Sequence, residues 1–419
     1  MLASLGLRST LSHRDSVNKL GIVADDLTGA MDTGVQFAKW GLHTVVMLNG
    51  GDLPSAEVVV ISTDSRDETA AEAYRRAKQA AQRLSERTLY KKIDSTLRGN
   101  IGPELDGLLD GLGLERALVA PAFPSAGRTT VDGYHRVHGV LLAESAFARD
   151  PLWPATESHL PTLLAGQTRR TVAHLPLSVV EQGEQAVVRA LMAEPASTVA
   201  ADAAESRHLR ILALALAHMG QKWLPCGSAG LAEEWPLALG FERLGEVPFC
   251  WSPDTRPVLI VAGSRHQSTA RQLQRTVEHG NLSLVNLSVA KEDWERIVRT
   301  DVVSLLSRGR NVALTTTFSE YQEGKEATTA EMLARATAWV LAHSAVAGLI
   351  MTGGDIARAV CRALGATALH VLGEVQAGVP AGILVGGLCN GLRVVTKAGG
   401  FGDDLAILRS IYCIQARLA

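Results

Sequence analysis

The chain has 419 residues with a formal net charge of −2, 47% apolar and 20% charged residues, the composition of an ordinary soluble globular protein. That balance offers no basic field for nucleic acid and no polybasic surface for a membrane, and no apolar run of about 18 residues is present to span a bilayer. The length exceeds one typical core and fits two domains of roughly 150–250 residues each.

Residues 1–19 carry Arg8, His13, Arg14 and Lys19 without an apolar h-region, and read as a loose N-terminal extension rather than a signal peptide. A strand predicted over 20–24 then runs straight into Asp25 and Asp26. Thr28-Gly29 opens a helix predicted over 30–40, with apolar Met31, Val35 and Ala38 on one face. The carboxyl end of a strand in an α/β sheet is where ligands collect. One Asp suffices to cap the helix. A second like charge beside it points to a polar, hydroxylated or metal-bound ligand.

Strands predicted over 43–48 and 57–61 follow, and the latter ends in Ser62-Thr63-Asp64-Ser65-Arg66 ahead of a helix over 68–84. A third charged turn, Tyr90 to Asn100, crowds Lys92, Asp94, Ser95 and Arg98 together. The planar fork of Arg suits a carboxylate or phosphate, while Ser and Asp suit the hydroxyls of a sugar-like molecule. After a strand over 116–120, Pro121 and Pro124 stiffen a segment in which Arg128 adds another cation for an anionic ligand. Residues 151–200, rich in Ala, Glu and Pro, read as helices and loops decorating the first half. Pro248, Pro253 and Pro257 mark a linker over 246–257.

The C-terminal half resumes with strands over 257–262, 311–316, 347–351, 382–386 and 392–396, and with helices over 267–278 and 329–344. Three strand ends carry glycine turns: Gly263-Ser264, Thr352-Gly353-Gly354-Asp355 and Gly399-Gly400. Such turns let a backbone approach phosphate, and the N–H groups of a following helix supply positive dipole. A side chain at Gly354 would crowd that phosphate or demand a positive φ. Neither a Walker A loop nor a Rossmann G-x-G-x-x-G occurs. The five cysteines (Cys226, Cys250, Cys361, Cys389 and Cys413) are scattered without a C-x-x-C pair. That spacing disfavours a disulfide framework or cysteine-bound metal and fits a reducing cytoplasm. The alternation of strand and helix predicts an α/β protein of two domains, 20–245 and 258–419. Each would be a largely parallel sheet flanked by helices, with the active site in the cleft between them.

The segments ADDLTGAMDTG, KKIDSTLRGN, PAFPSAGRTTVDG, TGGDIARAV and TKAGGFG, in this order, resemble the four-carbon acid sugar kinases, formerly a domain-of-unknown-function family. The resemblance covers nearly the whole chain from about residue 20, and the first segment is most like the D-threonate kinase branch. It implies a sugar-acid-binding N-terminal domain, an ATP-binding C-terminal domain, and phosphorylation of the terminal hydroxyl of threonate, erythronate or 3-oxo-tetronate. Carried onto this chain, it assigns substrate binding to Asp25, Asp26, Arg66, Lys92, Asp94, Ser95, Thr96, Leu97 and Arg98. Arg66 or Arg98 would hold the carboxylate, and Asp26 or Asp25 would orient or deprotonate the attacking hydroxyl. Gly263, Ser264, Thr352, Gly353, Gly354, Asp355, Gly399 and Gly400 would cradle ATP. Mg²⁺ follows from the use of ATP, although no cluster marks its ligands. A homodimer is the candidate assembly. Two other classes compete: a sugar-acid dehydrogenase or aldolase, with Lys92 as the tempting Schiff-base residue, and a non-enzymatic sugar-acid sensor. The first lacks a dinucleotide fingerprint, and the second leaves three glycine turns unexplained.

Overall fold

The computed structural model describes residues 19–417 apart from 49, 151–152, 244–248, 250, 281, 291–292 and 321–323. The expected extension over 1–19 therefore lies outside the described residues but for Lys19, as do residues 246–248 and 250 of the expected linker.

Strands in the N-terminal half are β1 (Leu20–Ala24), β2 (Thr44–Met47), β3 (Val58–Ser62), β4 (Thr88–Lys92) and β5 (Arg116–Ala120). A small antiparallel sheet comes next, made of β6 (Arg128–Val131), β7 (Tyr134–Val137) and β8 (Val140–Leu141), before β9 (Val172–Leu175), β10 (Thr198–Ala201) and β11 (Trp223–Gly227). The C-terminal half contributes β12 (Val258–Ala262), β13 (Leu282–Asn286), β14 (Asn311–Thr315) and β15 (Gly348–Thr352). It ends with β16 (Ala368–Gln376), β17 (Val379–Val385) and β18 (Arg393–Lys397).

The two sheets expected separately are joined into one of fifteen strands, ordered β13-β14-β12-β15-β18-β17-β16-β2-β3-β1-β4-β11-β5-β10-β9. All pairings from β2 to β9 are parallel, as are those from β13 to β18. Between these blocks β17 and β16 pair antiparallel, and β16 pairs antiparallel with β2. The join is thus a mixed stretch, and the segment expected as a parallel strand over 382–386 is the end of antiparallel β17. This reversal would place the two sets of carboxyl ends on opposite edges of a flat sheet. Strands twist by about 20–25° per neighbour, so the six steps from β1 to β15 accumulate roughly 120–150° and offset most of the reversal. Both sets of strand ends consequently face one cleft.

The central strands β1, β12, β14 and β15 are buried at every residue, as strands covered by helices on both faces must be. Asp26, extended at φ −141°, caps helix Leu27–Ala38 by accepting from the Gly29 N–H, so this helix starts three residues before the expected Ala30. On one face, helix Ala70–Arg83 turns an alanine stripe (Ala73, Ala77, Ala80, Ala81) against helix Ile101–Leu112. Gly107 lets the two backbones touch, for a Cβ there would lie 2.3 Å from the Tyr74 carbonyl oxygen. Residues 151–200 do more than decorate, since β9 and β10 extend the sheet. Both are four-residue strands: β10 is buried throughout, and β9 is the partly exposed edge strand that pairs with it.

Gly382 sits in the antiparallel join, where a Cβ would lie 2.3 Å from the His370 carbonyl oxygen. Gly382→Ala is expected to destabilise the fold by about 1–3 kcal/mol through overpacking against backbone. Urea unfolding of parent and variant checks this, and an unchanged midpoint would mean the join can shift freely.

Candidate functional site

Strand register decides which residues meet. Ala24 is level with Ser62 on one side and with Lys92 on the other, and Lys92 is level with Gly227. The turns that follow, Asp25-Asp26, Thr63–Arg66, Ile93–Arg98 and Ser228, therefore emerge along one rim. In the other half Ala262 is level with Thr352 and Thr315, and Thr352 with Lys397. Gly263, Gly353 and Ala398 accordingly start their turns side by side.

Arg66 organises the first rim. Its Nε donates to Asp25 Oδ2 at 2.7 Å, Nη1 to Asp26 Oδ2 at 3.0 Å, and Nη2 lies 2.8 Å from Asp26 Oδ1 and 3.8 Å from Asp94 Oδ1. Asp94 is held in turn by Arg98, with Nε at 2.8 Å from Oδ2 and Nη2 at 3.1 Å from Oδ1, and by the hydroxyl of Thr96. Burial alone would raise these acids. Arg98 and then Arg66 nevertheless keep Asp94 well below the usual carboxylate range, and Arg66, Lys91 and Lys92 leave Asp25 lowered overall. Asp26 also accepts from Thr28 Oγ1 at 2.6 Å. Asp25 Oδ1, by contrast, is buried without a hydrogen-bond partner among the described residues, an exception to the usual pairing of buried polar atoms.

Beneath the rim lies a second charged layer. Fully buried Lys91 donates to Glu104 Oε2 at 2.5 Å, and Ser65 Oγ donates to Glu104 Oε1 at 2.6 Å. From the small sheet, His135 Nε2 donates to the Ser95 carbonyl at 2.8 Å while its Nδ1 pairs with Thr130 Oγ1 at 2.9 Å. That anchors the Asp94–Arg98 turn, whose Leu97 has the strained φ of +60°.

On the second rim, helix Gly354–Ala363 begins without a side-chain cap, and its first residues line the cleft. The positive φ expected at Gly354 belongs to Gly353, at +101°. Gly354 is needed for space instead: a Cβ there would lie 3.1 Å from Asp26 Oδ2 and 3.4 Å from Thr28 Oγ1. A Cβ at Gly399 would meet Ser264 Oγ, and one at Gly400 would lie 3.2 Å from His266 Nε2. Lys397 is almost fully buried and donates to the carbonyls of Ala398, Gly399 and Phe401 at 2.9, 3.0 and 3.2 Å.

A cavity of about 710 Å³ joins the rims, within the range of small-molecule sites. Asp25, Asp26, Arg66, Asp94, Ser95, Thr96 and Arg98 line it from one side, and Gly263, Ser264, Gly353, Gly354, Asp355, Gly399 and Gly400 from the other. Three expected site residues do not line it. Lys92 faces a smaller adjoining pocket of about 40 Å³ together with Thr28, Asp94, Ser95 and Ser228. Leu97 packs in the core, and Thr352 Oγ1 is buried 3.4 Å from Thr269 Oγ1. Sequence reading did not include Thr28, Ser228 and Phe401 in the site, although they line one or both pockets. Thr28 had a signal, standing two residues after Asp26, but Ser228 is brought in by register alone.

Comparison with known proteins agrees with this division. A sugar-binding N-terminal domain family matches residues 20–235 and a nucleotide-binding C-terminal domain family matches residues 259–407. The chain is 34% identical to a D-threonate kinase of Salmonella typhimurium, over 95% of this chain and 98% of that protein. It is 32% identical to a D-erythronate kinase of Heliobacterium modesticaldum, over 91% and 94%. A crystal structure of a Haemophilus influenzae protein of the former domain-of-unknown-function family superposes with a TM-score of 0.70 at 26% identity, covering 93% of this chain and 98% of that one.

Burial holds His135 down at about 4, against an ordinary value of 6.5. The unfolded chain then binds the extra proton first, so this contribution to stability is complete above pH 6.5 and is lost as pH falls towards 4. The melting temperature should drop across that window, and less steeply in His135→Gln. Equal slopes in parent and variant would assign the whole loss to other groups.

Proposed function

The chain belongs to the four-carbon acid sugar kinase family and is an ATP-dependent carbohydrate kinase; from that premise we propose that its acceptor is D-threonate and its product 4-phospho-D-threonate. The choice of D-threonate is supported by the 34% identity to a D-threonate kinase, and the observation that carries phosphoryl transfer in the cleft is the near approach of Gly354 to Asp26. A phosphoryl group at the N-terminus of helix Gly354–Ala363 would lie directly against the paired carboxylates.

In this reading residues 20–245 hold the sugar acid, 246–257 connect, 258–419 hold ATP, and catalysis takes place in the cleft. Asp25 Oδ1, the unpartnered acceptor, takes a substrate hydroxyl. Ser95 offers another polar contact, and Lys92 and Arg98 face the acid's carboxylate across the small pocket. Arg66 sets the two aspartates, while Thr96 and Leu97 shape the turn that presents Asp94. Asp26 orients the terminal hydroxyl and takes its proton as the oxygen bonds to the γ-phosphorus and the bond to the β-phosphate oxygen breaks, releasing ADP. The turns at Gly263-Ser264, Thr352–Asp355 and Gly399-Gly400 hold the nucleotide.

Among the described residues no group of three His, Cys, Asp or Glu could hold a metal ion. Asp64, Asp67 and Asp355 nevertheless line the cavity singly. That donor set fits Mg²⁺ carried in on the nucleotide phosphates and met by one or two carboxylates and water. When bound, the ion would neutralise phosphate charge.

D-erythronate is the second reading, since it offers the same carboxylate and terminal hydroxyl and differs only in configuration. Coupled ADP release with D-threonate, L-threonate, D-erythronate and 3-oxo-tetronate decides between them, with D-threonate expected to give the highest kcat/KM. Asp26→Asn should lower kcat by about 10²–10⁴, the usual cost of a lost acid or base, with ADP affinity retained in calorimetry. Near-parental turnover would reduce Asp26 to a helix cap.

A further inference from the structure

Five cations stand at the N-terminal rim; Arg149 is exposed to solvent, and three of the other four already have a task. Arg66 is taken up by Asp25 and Asp26, Arg98 by Asp94, and the Lys92 ammonium faces the small pocket. Arg128 differs. It opens β6, is 7% exposed, and its Nε is buried with no hydrogen-bond partner among the described residues. Nη1 donates to the Ala126 carbonyl, and no ion pair of Arg128 is found among the described residues. Burial draws it below the ordinary guanidinium value, although an arginine stays charged. A buried guanidinium without a counter-ion is costly unless something anionic arrives.

Its place says which anion. Arg128 stacks on the ring of Phe401, 5.4 Å from the centroid, and Phe401 belongs to the glycine turn of the other half. It lines the large cavity and is absent from the walls of the small pocket where Lys92 and Arg98 stand. Its field reaches Asp94 on one side and His266 on the other. The hairpin that bears it is pinned to the acid rim through His135 to Ser95, and to the chain just after β10 through Thr130 to Ala203.

Resting on the kinase reading above, we infer that Arg128 is a catalytic residue that contacts the phosphoryl group in transfer, while the substrate carboxylate belongs to the small pocket. Its free N–H groups stabilise the charge that spreads over the equatorial oxygens as the bond to ADP breaks and the bond to the sugar-acid hydroxyl forms. Phe401 holds the guanidinium plane in place, so the residue spans the cleft in one fixed pose.

Arg128→Gln should lower kcat by about 10²–10³, the cost of removing one preorganised donor, while D-threonate alone and ADP alone bind as to the parent. Arg128→Lys, which keeps the charge but not the fork, should fall between. Added guanidinium should restore part of the turnover of Arg128→Ala, which a purely structural role would not allow. If Arg128→Gln unfolds, the Lys variant and the guanidinium rescue still decide. A raised KM for the acid with kcat intact would overturn the assignment and make Arg128 the carboxylate holder, and unchanged kinetics would make it a strut. Should the parent release no ADP with any of the four acids, the kinase reading itself fails. Arg128 is then judged by binding: equal affinity of parent and Arg128→Gln for a non-hydrolysable ATP analogue would end its role as well.

Discussion

Three carboxylates converge on one guanidinium at the ends of β1, β3 and β4, and the N-terminal rim depends on that convergence. Asp25, Asp26 and Asp94 would repel one another without Arg66 between them, and each buried ion would cost several kcal/mol. Arg66 meets them with Nε, Nη1 and Nη2 at once, which an ammonium could not do. The neighbours conform to it. Gly99 adopts φ +93°, and a Cβ there would lie 3.1 Å from Arg66 Cγ. The Asn100 side-chain amide donates to the carbonyls of Ser65, Arg66 and Glu68 and so holds the arginine's own turn. Lys91 and Glu104 form a second buried pair below. Charge around Arg66 is thus balanced in layers, Arg128 apart, and Asp25 Oδ1 is left without a hydrogen-bond partner among the described residues.

The rim would be of little use if the glycine turns lay elsewhere, and the antiparallel join determines that they do not. Strands β16 and β17 reverse the direction of the sheet, and twist accumulated on either side returns the two sets of carboxyl ends to a common cleft. A sheet continuous through hydrogen bonds also ties the two halves mechanically. The approach of Gly354 to Asp26 is therefore set by register rather than by two bodies docking.

Much of this was legible in the sequence, for physical reasons that can be named. Apolar runs ending in carboxylates mark strand ends, because a buried strand tolerates charge only where it leaves the sheet. The turns at Asp25-Asp26, Ser62–Arg66 and Lys92–Arg98 stood out on that ground, and all three reach the rim. The strand β4 was hidden because Thr-Leu-Tyr-Lys-Lys reads as a charged turn. Lys91 is buried within it only because Glu104, on a helix, comes back to pair with it. Strands β9 and β10 were hidden by their length, four residues each, which leaves too short a pattern to read. Arg128 could be seen as a cation, but its lack of a counter-ion is a property of three dimensions.

Lys397 shows what a sequence conceals and what a fold can do with it. It ends β18 and is buried, and burial pulls it down to about 7. Its partners are three carbonyls, those of Ala398, Gly399 and Phe401. Three acceptors call for three N–H donors, which the ammonium has and the neutral amine lacks, so the cage itself favours the charged form. A trans peptide sets its N–H opposite its C=O. Drawing the Ala398 and Gly399 carbonyls onto Lys397 therefore turns the N–H groups of Gly399 and Gly400 the other way, on residues that line the cavity. An interior lysine behind the turn thus fixes the direction of two peptide groups at the cavity wall. Each rim has one cation, Arg66 in the first and Lys397 in the second, whose N–H groups are taken up by the protein's own acceptors.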